Sequence, residues 1–411
     1  MSTTNFTLHK WIRLTLLSLL IVSSLGIILR YKIAFSLPFI HQKHLLHAHS
    51  HFAFTGWISQ AFMILMVGYL TKVTSTNFFK QFNKILATNL IVAYAMLISF
   101  ALEGYGAISI TLSTSSILVA CWFAVAYVKA LNKLPTKSVV HTCFKAALFF
   151  NIFSSFGAFA LAIFMATKIM HANWYLAAEY YYLHFQYNGW FSIAGLGLLL
   201  SILDQTIITK FKNNILILVA AVLPTYFLST LWMKMPMWLY GVIVVASLAQ
   251  LFIWVKILLQ FIPMIKMDTR LTSVGKKILL LSAIACSIKI LLQAGSVIPE
   301  LSKLAFGYRP IVIGYLHLVL LGVITLFILG YLFSLSLIKI NKKAIIGLVV
   351  FTVGIVLNEL SLMLQGVSAI IGNNAIPFMN EILLAVACIM FSGLLLLNIA
   401  QSNKTDLAHT S

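Results

Sequence analysis

The chain has 411 residues, of which 61% are hydrophobic and only 9% are charged, and its mean hydropathy is +1.01. This composition excludes an ordinary soluble protein and predicts a polytopic membrane protein, because apolar stretches of about twenty residues form spanning helices. A net charge of +20 would suggest nucleic-acid binding in a soluble protein. Here the lysines lie in short loops, where they set the orientation of the helices in the membrane, so we exclude nucleic acid as a partner.

Apolar runs long enough to span a bilayer follow one another along the chain. The first, at 11–29, has no A-x-A-like cleavage site and leads into Arg30 and Lys32, so we interpret it as a retained helix and not as a signal peptide. The others lie at about 46–71, 84–104, 107–128, 143–167, 174–203, 213–233, 238–262, 278–298, 311–338, 344–366 and 378–400. The sequence therefore predicts an all-α membrane protein with about twelve transmembrane helices in a single membrane domain, residues 1–411.

Lysine and arginine residues concentrate in the loops after every second predicted helix. The loops after helices two, four, six, eight and ten are rich in them, and the opposite loops are much poorer. The loop after helix ten, for example, holds Lys339, Lys342 and Lys343. By the positive-inside rule both termini face the cytoplasm, and we expect the protein in the bacterial inner membrane. Helices two, six and ten then run inward from the outer side.

Four histidines, His44, His47, His49 and His51, stand at the head of the second apolar run. At about 100° of rotation per residue, His44, His47 and His51 share one face of a helix, whereas His49 and His51 are about 200° apart. A His-x-His pair in a spanning helix can therefore serve two metal centres, one on each flank. Gly56 follows His51 by five residues and permits the close approach of a neighbour.

The head of this helix recurs twice. Each copy has a histidine followed five residues later by a glycine: His51 and Gly56, His184 and Gly189, His317 and Gly322. The three histidines are 133 residues apart, and a ring stands two residues before each of them, in His49, Tyr182 and Tyr315. A fixed period with matched detail indicates internal repeats. The sequence predicts three repeats, 1–137, 138–270 and 271–411, each with four helices and with the histidine helix second.

Three pseudo-symmetric arcs of four helices, with histidines on helices two, six and ten, resemble subunit I, the catalytic subunit, of haem-copper oxidases and nitric oxide reductases. The resemblance implies that His51 and His317 ligate a low-spin haem and that His184 ligates the second active-site metal. The segment from His184 to Gly189 is similar to the nitric oxide reductase pattern. Tyr315 stands where the family has the histidine of its high-spin haem, and helix seven lacks the two histidines of the family. The chain is thus expected to be a divergent member.

A rotated assignment is also open, because the arcs are alike. The His-x-His on helix two, His49 and His51, resembles that of the family's helix ten. In this register His184 is the low-spin partner and His317 the second-metal ligand, so both registers use His51. Hydrogen bonding across helices is the alternative to metal ligation for each of these histidines.

Two charged residues complete the set of candidates. Arg309, eight residues before His317, is expected to pair with a haem propionate. Glu359 is the deepest acid in an apolar run and is a candidate for a proton path, or else a hydrogen-bonded structural acid.

The resemblance implies a haem, of b type, and leaves the second metal open. The chain has no CxxCH motif for a c-type haem and no copper-binding cysteine pair, so its electrons would come from a partner protein or a quinol. Membrane lipids are the other expected partners. The predicted function is electron transfer or respiratory-type redox chemistry with an incomplete copper site, as in an oxidoreductase of the cytochrome oxidase or nitric oxide reductase type. The alternatives are a haem or metal sensor or assembly factor, and a polytopic transporter with internal repeats.

Overall fold

A computed structural model describes residues 3–135, 137–169, 171–372 and 376–402, with side chains omitted at 3–6 and 304–306. The described chain is built from helices and the turns that join them. Eleven of these helices are long and apolar enough to cross a membrane. The prediction of an all-α chain with many long apolar helices is therefore confirmed, and these helices are compatible with a polytopic membrane protein.

Residues 1–137 contain four long helices. The second of them, which we call the first histidine helix, spans Gln42–Thr74. It consists of α2 (Gln42–Phe52), a π-helical segment π1 (Ala53–Ser59) and α3 (Gln60–Thr74). The others are α1 (Thr3–Ala34), α4 (Phe79–Glu103) and α5 (Ala107–Asn132).

Residues 138–270 follow the same order. The second histidine helix consists of α7 (Ala172–His184), π2 (Phe185–Phe191) and α8 (Ser192–Ile202). Around it lie α6 (Val139–Ala166), a short α9 (Gln205–Lys210), α10 (Lys212–Thr225) with a 3₁₀ turn at Tyr226–Thr230, and α11 (Met237–Met267). The second histidine helix is not among the eleven apolar spans, because polar and aromatic residues fill its first half. That this helix crosses the membrane therefore stays a prediction.

Residues 271–411 contain the third histidine helix, Arg309–Ser334. It consists of α14 (Arg309–His317), π3 (Leu318–Thr325) and α15 (Leu326–Ser334). The remaining helices are α12 (Ser273–Gly295), a short α13 (Pro299–Gly307), α16 (Lys342–Ile371) and α17 (Met379–Ser402).

Two compact units are formed by the described chain. Unit 1 comprises Met1–Val119, Arg270–Ile278 and Ile328–Ser411, and unit 2 comprises Ala120–Thr269 and Leu279–Phe327. Within unit 1, α17 packs against both α1 and α16, and α4 packs against the first histidine helix. Within unit 2, α6 packs along the second histidine helix, α10 packs against α11, and π2 contacts π3. The three predicted repeats are defined by the sequence period and cut across these units.

Candidate functional site: the three histidine helices

Each histidine helix changes from α-helical to π-helical winding beside its repeated histidine. π2 and π3 begin directly after His184 and His317, and π1 begins two residues after His51. No other π-helix occurs in the part of the chain that the structure describes. π-helical turns are rare and are frequent at functional sites. The repeat predicted from the sequence is therefore accompanied by a repeat of backbone geometry.

Polar side chains satisfy carbonyl groups of the π-helical segments. In unit 1, Asn89 Nδ2 of α4 donates to the Thr55 carbonyl at 3.2 Å. In unit 2, Ser282 Oγ of α12 donates to the Val323 carbonyl at 2.7 Å. Every backbone polar group in a membrane needs a partner within the protein, so these residues hold the unusual winding in place. Sequence reasoning missed both of them, although polar residues within apolar runs were a signal that could have found them.

The glycines of the motif lie at points of close approach. A Cβ atom on Gly189 would lie 2.5 Å from Cβ of Phe150 on α6. A Cβ atom on Gly322 would lie 3.2 Å from Cβ of Ala285 on α12. At Gly56 the neighbour is the ring of Phe52, in the same helix, and not a side chain of another helix. The glycines thus allow packing beside each π-helical turn.

Gly189→Ala should destabilise the protein by about 1–3 kcal/mol, because the added methyl group meets the rigid Cβ of Phe150 and the core is overpacked. Gly241→Ala is the matched control, since nothing lies within 4 Å of a Cβ at that position in α11. There alanine should be neutral or stabilising by up to about 1 kcal/mol. Thermal unfolding of the detergent-solubilised variants measures both. Equal effects of the two substitutions would contradict the packing described for Gly189.

In unit 1, His51 lies against the end of α4 and the turn that follows it. Its ring stacks on Phe100 with 4.2 Å between centroids and 12° between planes. Its Nε2 atom lies 3.2 Å from the hydroxyl oxygen of Tyr105. The ring of His47 is 4.5 Å from that of Tyr105. His47 and His51 therefore share one face of the helix, as the sequence predicts.

His49 faces the opposite flank, toward α1. A Cβ atom on Gly26 would lie 3.7 Å from Cε1 of His49, so the ring packs on the backbone of that helix. The two imidazoles of the His-x-His pair thus reach different neighbours, α1 for His49 and α4 for His51. This agrees with the rotation of about 200° between them.

In unit 2, His184 is fully buried and both of its ring nitrogens are bonded. Nε2 lies 2.8 Å from the carbonyl oxygen of Val222, and Nδ1 lies 3.0 Å from Nδ2 of Asn188. Since a carbonyl group only accepts, Nε2 carries the hydrogen and Nδ1 accepts from the amide of Asn188. In this arrangement a metal would reach neither nitrogen unless one of these hydrogen bonds broke.

The Val222 carbonyl is available to His184 because α10 changes its winding there. Where the 3₁₀ turn begins, the N–H group of Tyr226 donates to the carbonyl groups of Leu223 and Pro224. It does not donate to that of Val222, its usual α-helical acceptor. This frees the Val222 oxygen for a donor from the second histidine helix. The predicted helix seven, here α10, therefore meets His184 through its backbone and has no histidine of its own.

His317 forms a hydrogen bond to a backbone carbonyl of its own helix. Its Nδ1 atom lies 2.8 Å from the carbonyl oxygen of Ile313, one turn earlier in α14. Nδ1 is therefore the donor, and in the neutral ring the lone pair is on Nε2. A backbone carbonyl that fixes the tautomer in this way is the usual outer partner of a histidine ligand.

The remaining candidates are dispersed. Arg309 is the first residue of α14 and is exposed. Glu359 lies within α16, half-buried, and accepts a hydrogen bond of 3.1 Å from Nδ2 of Asn358. Among the described residues no group of three or more histidine, cysteine, aspartate or glutamate side chains could hold a metal ion.

No protein-family model matches the chain, and no curated protein matches it.

Proposed function

We propose that the chain is a haem-binding membrane protein with the architecture of haem-copper oxidase subunit I, and that it transfers electrons. The observation that carries the proposal is the threefold occurrence of a histidine, a π-helical turn and a glycine at one sequence period. Histidines that only hydrogen-bond across helices have no need to recur with the same backbone geometry. A shared cofactor-binding ancestry of the three helices accounts for the recurrence.

His317 is the first proposed haem ligand. Haem iron takes a neutral imidazole nitrogen, and the bond from Nδ1 to the Ile313 carbonyl leaves the lone pair on Nε2. When bound, the haem supplies a reversible one-electron couple. The absence of CxxCH from the sequence favours a non-covalent, b-type haem.

His51 is the second proposed ligand, and His184 is not. To bind iron through Nε2, His51 gives up only its contact with the Tyr105 hydroxyl, a bond worth about 0.6 kcal/mol on average in membrane proteins. His184 would have to break its buried hydrogen bond to the Val222 carbonyl or to the Asn188 amide. This favours the first of the two registers, in which the resemblance assigns haem ligation to His51 and His317.

The test is the haem content of the full chain, purified from cells that make haem. The expected result is about one haem b per chain, extracted without covalent linkage. A transporter with the same helices would be colourless and free of iron, which would reject the proposal. A sensor or assembly factor would bind haem but would show no reduction by a quinol or a redox protein.

We also propose that both termini face the cytoplasm of the bacterial inner membrane, on the asymmetry of the loop charges. A cysteine at Lys342, exposed at the start of α16, should be labelled by an impermeant reagent only after the membrane is opened. A cysteine at Lys303, exposed on α13 in the opposite loop, should be labelled in intact cells. Both variants require a background without the four native cysteines. Reversed labelling of the two would overturn the orientation.

A further inference from the structure

A groove of about 610 Å³ lies between α10 and α11 in unit 2. The two helices pack against each other, and a short connection, residues 231–236, joins the 3₁₀ turn after α10 to the start of α11. Both belong to the eleven helices that are long and apolar enough to cross a membrane. The volume of the groove lies in the range of sites that bind small molecules, and the haem proposal does not use it.

Small side chains create the groove. Ala221 on α10 and Ala246 on α11 line it and are buried. Gly241 also lines it, and nothing lies within 4 Å of a Cβ atom built at that position. Val242 and Val245 add exposed apolar walls. Larger side chains at the alanine and glycine positions would fill this space, so the groove is a property of the sequence of the two helices.

The length of the groove matches one leaflet of a bilayer. Along α11 its lining extends over eleven residues, from Trp238 to Ala249, which at 1.5 Å per residue is about 16 Å. The hydrocarbon core of a bilayer is about 30 Å thick, so one leaflet contributes about 15 Å. Trp238 is the second residue of α11 and is 70% exposed, and tryptophan is typical of the membrane–water interface. The groove therefore runs from the interface to about the middle of the membrane.

A single positive charge stands beside the interfacial end of the groove in the sequence. Lys234 is exposed in the connection between the helices, four residues before Trp238. The sequence has no aspartate or glutamate between Asp204 and Asp268, so the α10–α11 hairpin carries no carboxylate that could neutralise it. Lysine residues at a membrane surface attract anionic lipid headgroups.

Other occupants match the groove less well. A helix of a second copy or of another protein would cross both leaflets, whereas the groove extends over one, so half of that helix would remain unpacked. The ring of a quinol needs hydrogen-bond partners, but among the lining residues only Trp238 has a polar atom in its side chain. A phospholipid matches in both respects, because its chain is apolar and its charge stays at the interface.

We propose that the groove binds one acyl chain of an anionic phospholipid, whose headgroup lies beside Lys234. The chain contacts α10 on one side and α11 on the other, so the lipid is held more firmly than lipids on a single helix face. The proposal does not depend on haem binding.

Photo-crosslinking of the full chain tests the site. The chain is placed in phosphatidylcholine nanodiscs that contain a phosphatidylglycerol probe with a diazirine at the end of one acyl chain, and modified residues are located by mass spectrometry. Residues 242–249 of α11 should be modified on the order of tenfold more than residues 353–360 in the middle of α16, because a chain in the groove has two helix faces to contact. Val353, Val356 and Leu360 on α16 are each about half exposed to the same probe.

Equal modification of the two segments would show that the groove holds only exchanging bulk lipid, and it would overturn the proposal. Protection of residues 242–249 from the probe would show that protein fills the groove, and it would overturn the proposal as well.

Gly241→Phe should fill the groove and lower the modification of residues 242–249 to the level of α16. Leu259→Phe is the control, because Leu259 is exposed on the same helix and does not line the groove, so the modification should be unchanged. If Gly241→Phe does not fold, Ala220→Phe narrows the groove from an exposed position on α10. Unchanged modification in that folded variant would contradict the site.

The part assigned to Lys234 is measured with a second probe that has the same chain and a phosphatidylcholine headgroup. The wild-type protein should be modified about fivefold more by the phosphatidylglycerol probe, since one lysine at a membrane surface favours an anionic lipid by about that factor. Lys234→Gln should remove this preference, whereas Lys303→Gln, on the exposed surface of α13, should retain it. A wild-type protein modified equally by both probes would refute the headgroup assignment.

Discussion

Replacing His317 with alanine should abolish the low-spin haem spectrum of the purified protein. The substitution removes the imidazole whose Nε2 lone pair is fixed by the hydrogen bond from Nδ1 to Ile313. A haem bound by the chain would then keep at most one of its two proposed histidine ligands, so it would be lost or would no longer be low-spin. The optical spectrum of the reduced protein and the electron paramagnetic resonance spectrum of the oxidised protein report this change. His51→Ala should have the same effect.

Two further histidine variants make this result specific. His44→Ala should leave the spectrum intact. His184→Ala should also retain it, but should lower stability by about 1–3 kcal/mol, because the buried hydrogen bond to the Val222 carbonyl of α10 and the bond to Asn188 within the same helix are both lost. A spectrum that survives His317→Ala and disappears with His184→Ala would instead support the rotated register, with His184 as the low-spin ligand.

The reduced wild-type protein should not bind carbon monoxide. A haem held by two histidines has no open position on the iron, and an open position is required to bind a gas. The absorption spectrum of the reduced protein should therefore be the same before and after carbon monoxide is added. His51→Ala is the positive control if it retains haem, because it opens a coordination position.

Rapid binding of carbon monoxide by the wild-type protein would contradict this account. It would indicate a five-coordinate haem, held by His49 or Tyr315, and would favour a gas-reducing enzyme. His49→Ala and Tyr315→Phe would then identify the ligand.

Features that depend on spacing along the chain were predictable from the sequence. Apolar length predicted the spanning helices, and rotation per residue predicted that His49 and His51 face different neighbours, here α1 and α4. The equal spacing of His51, His184 and His317 predicted a structural repeat, and the structure has a π-helical segment beside each of these histidines. These properties are local, so a single sequence carries them.

Features that depend on a neighbouring helix were not predictable. Hydropathy and residue spacing do not show whether a turn is α-helical or π-helical, so the winding beside the histidines was not foreseen. The bonding of His184 follows from a carbonyl of Val222 that a 3₁₀ turn in another helix releases. The tautomer of His317 depends on the rotamer that brings Nδ1 to the Ile313 carbonyl of its own helix, which the sequence does not show either. Such contacts separate a structural histidine from a candidate ligand, although both belong to the same sequence motif.

The most direct test of the account is the electron paramagnetic resonance spectrum of the oxidised full chain, purified with its haem and compared with the iron content. We predict a low-spin ferric signal that accounts for the bound iron, as expected for haem held by two histidines. A protein without iron, or one whose iron gives only a high-spin signal, would contradict the assignment of haem ligation to His51 and His317.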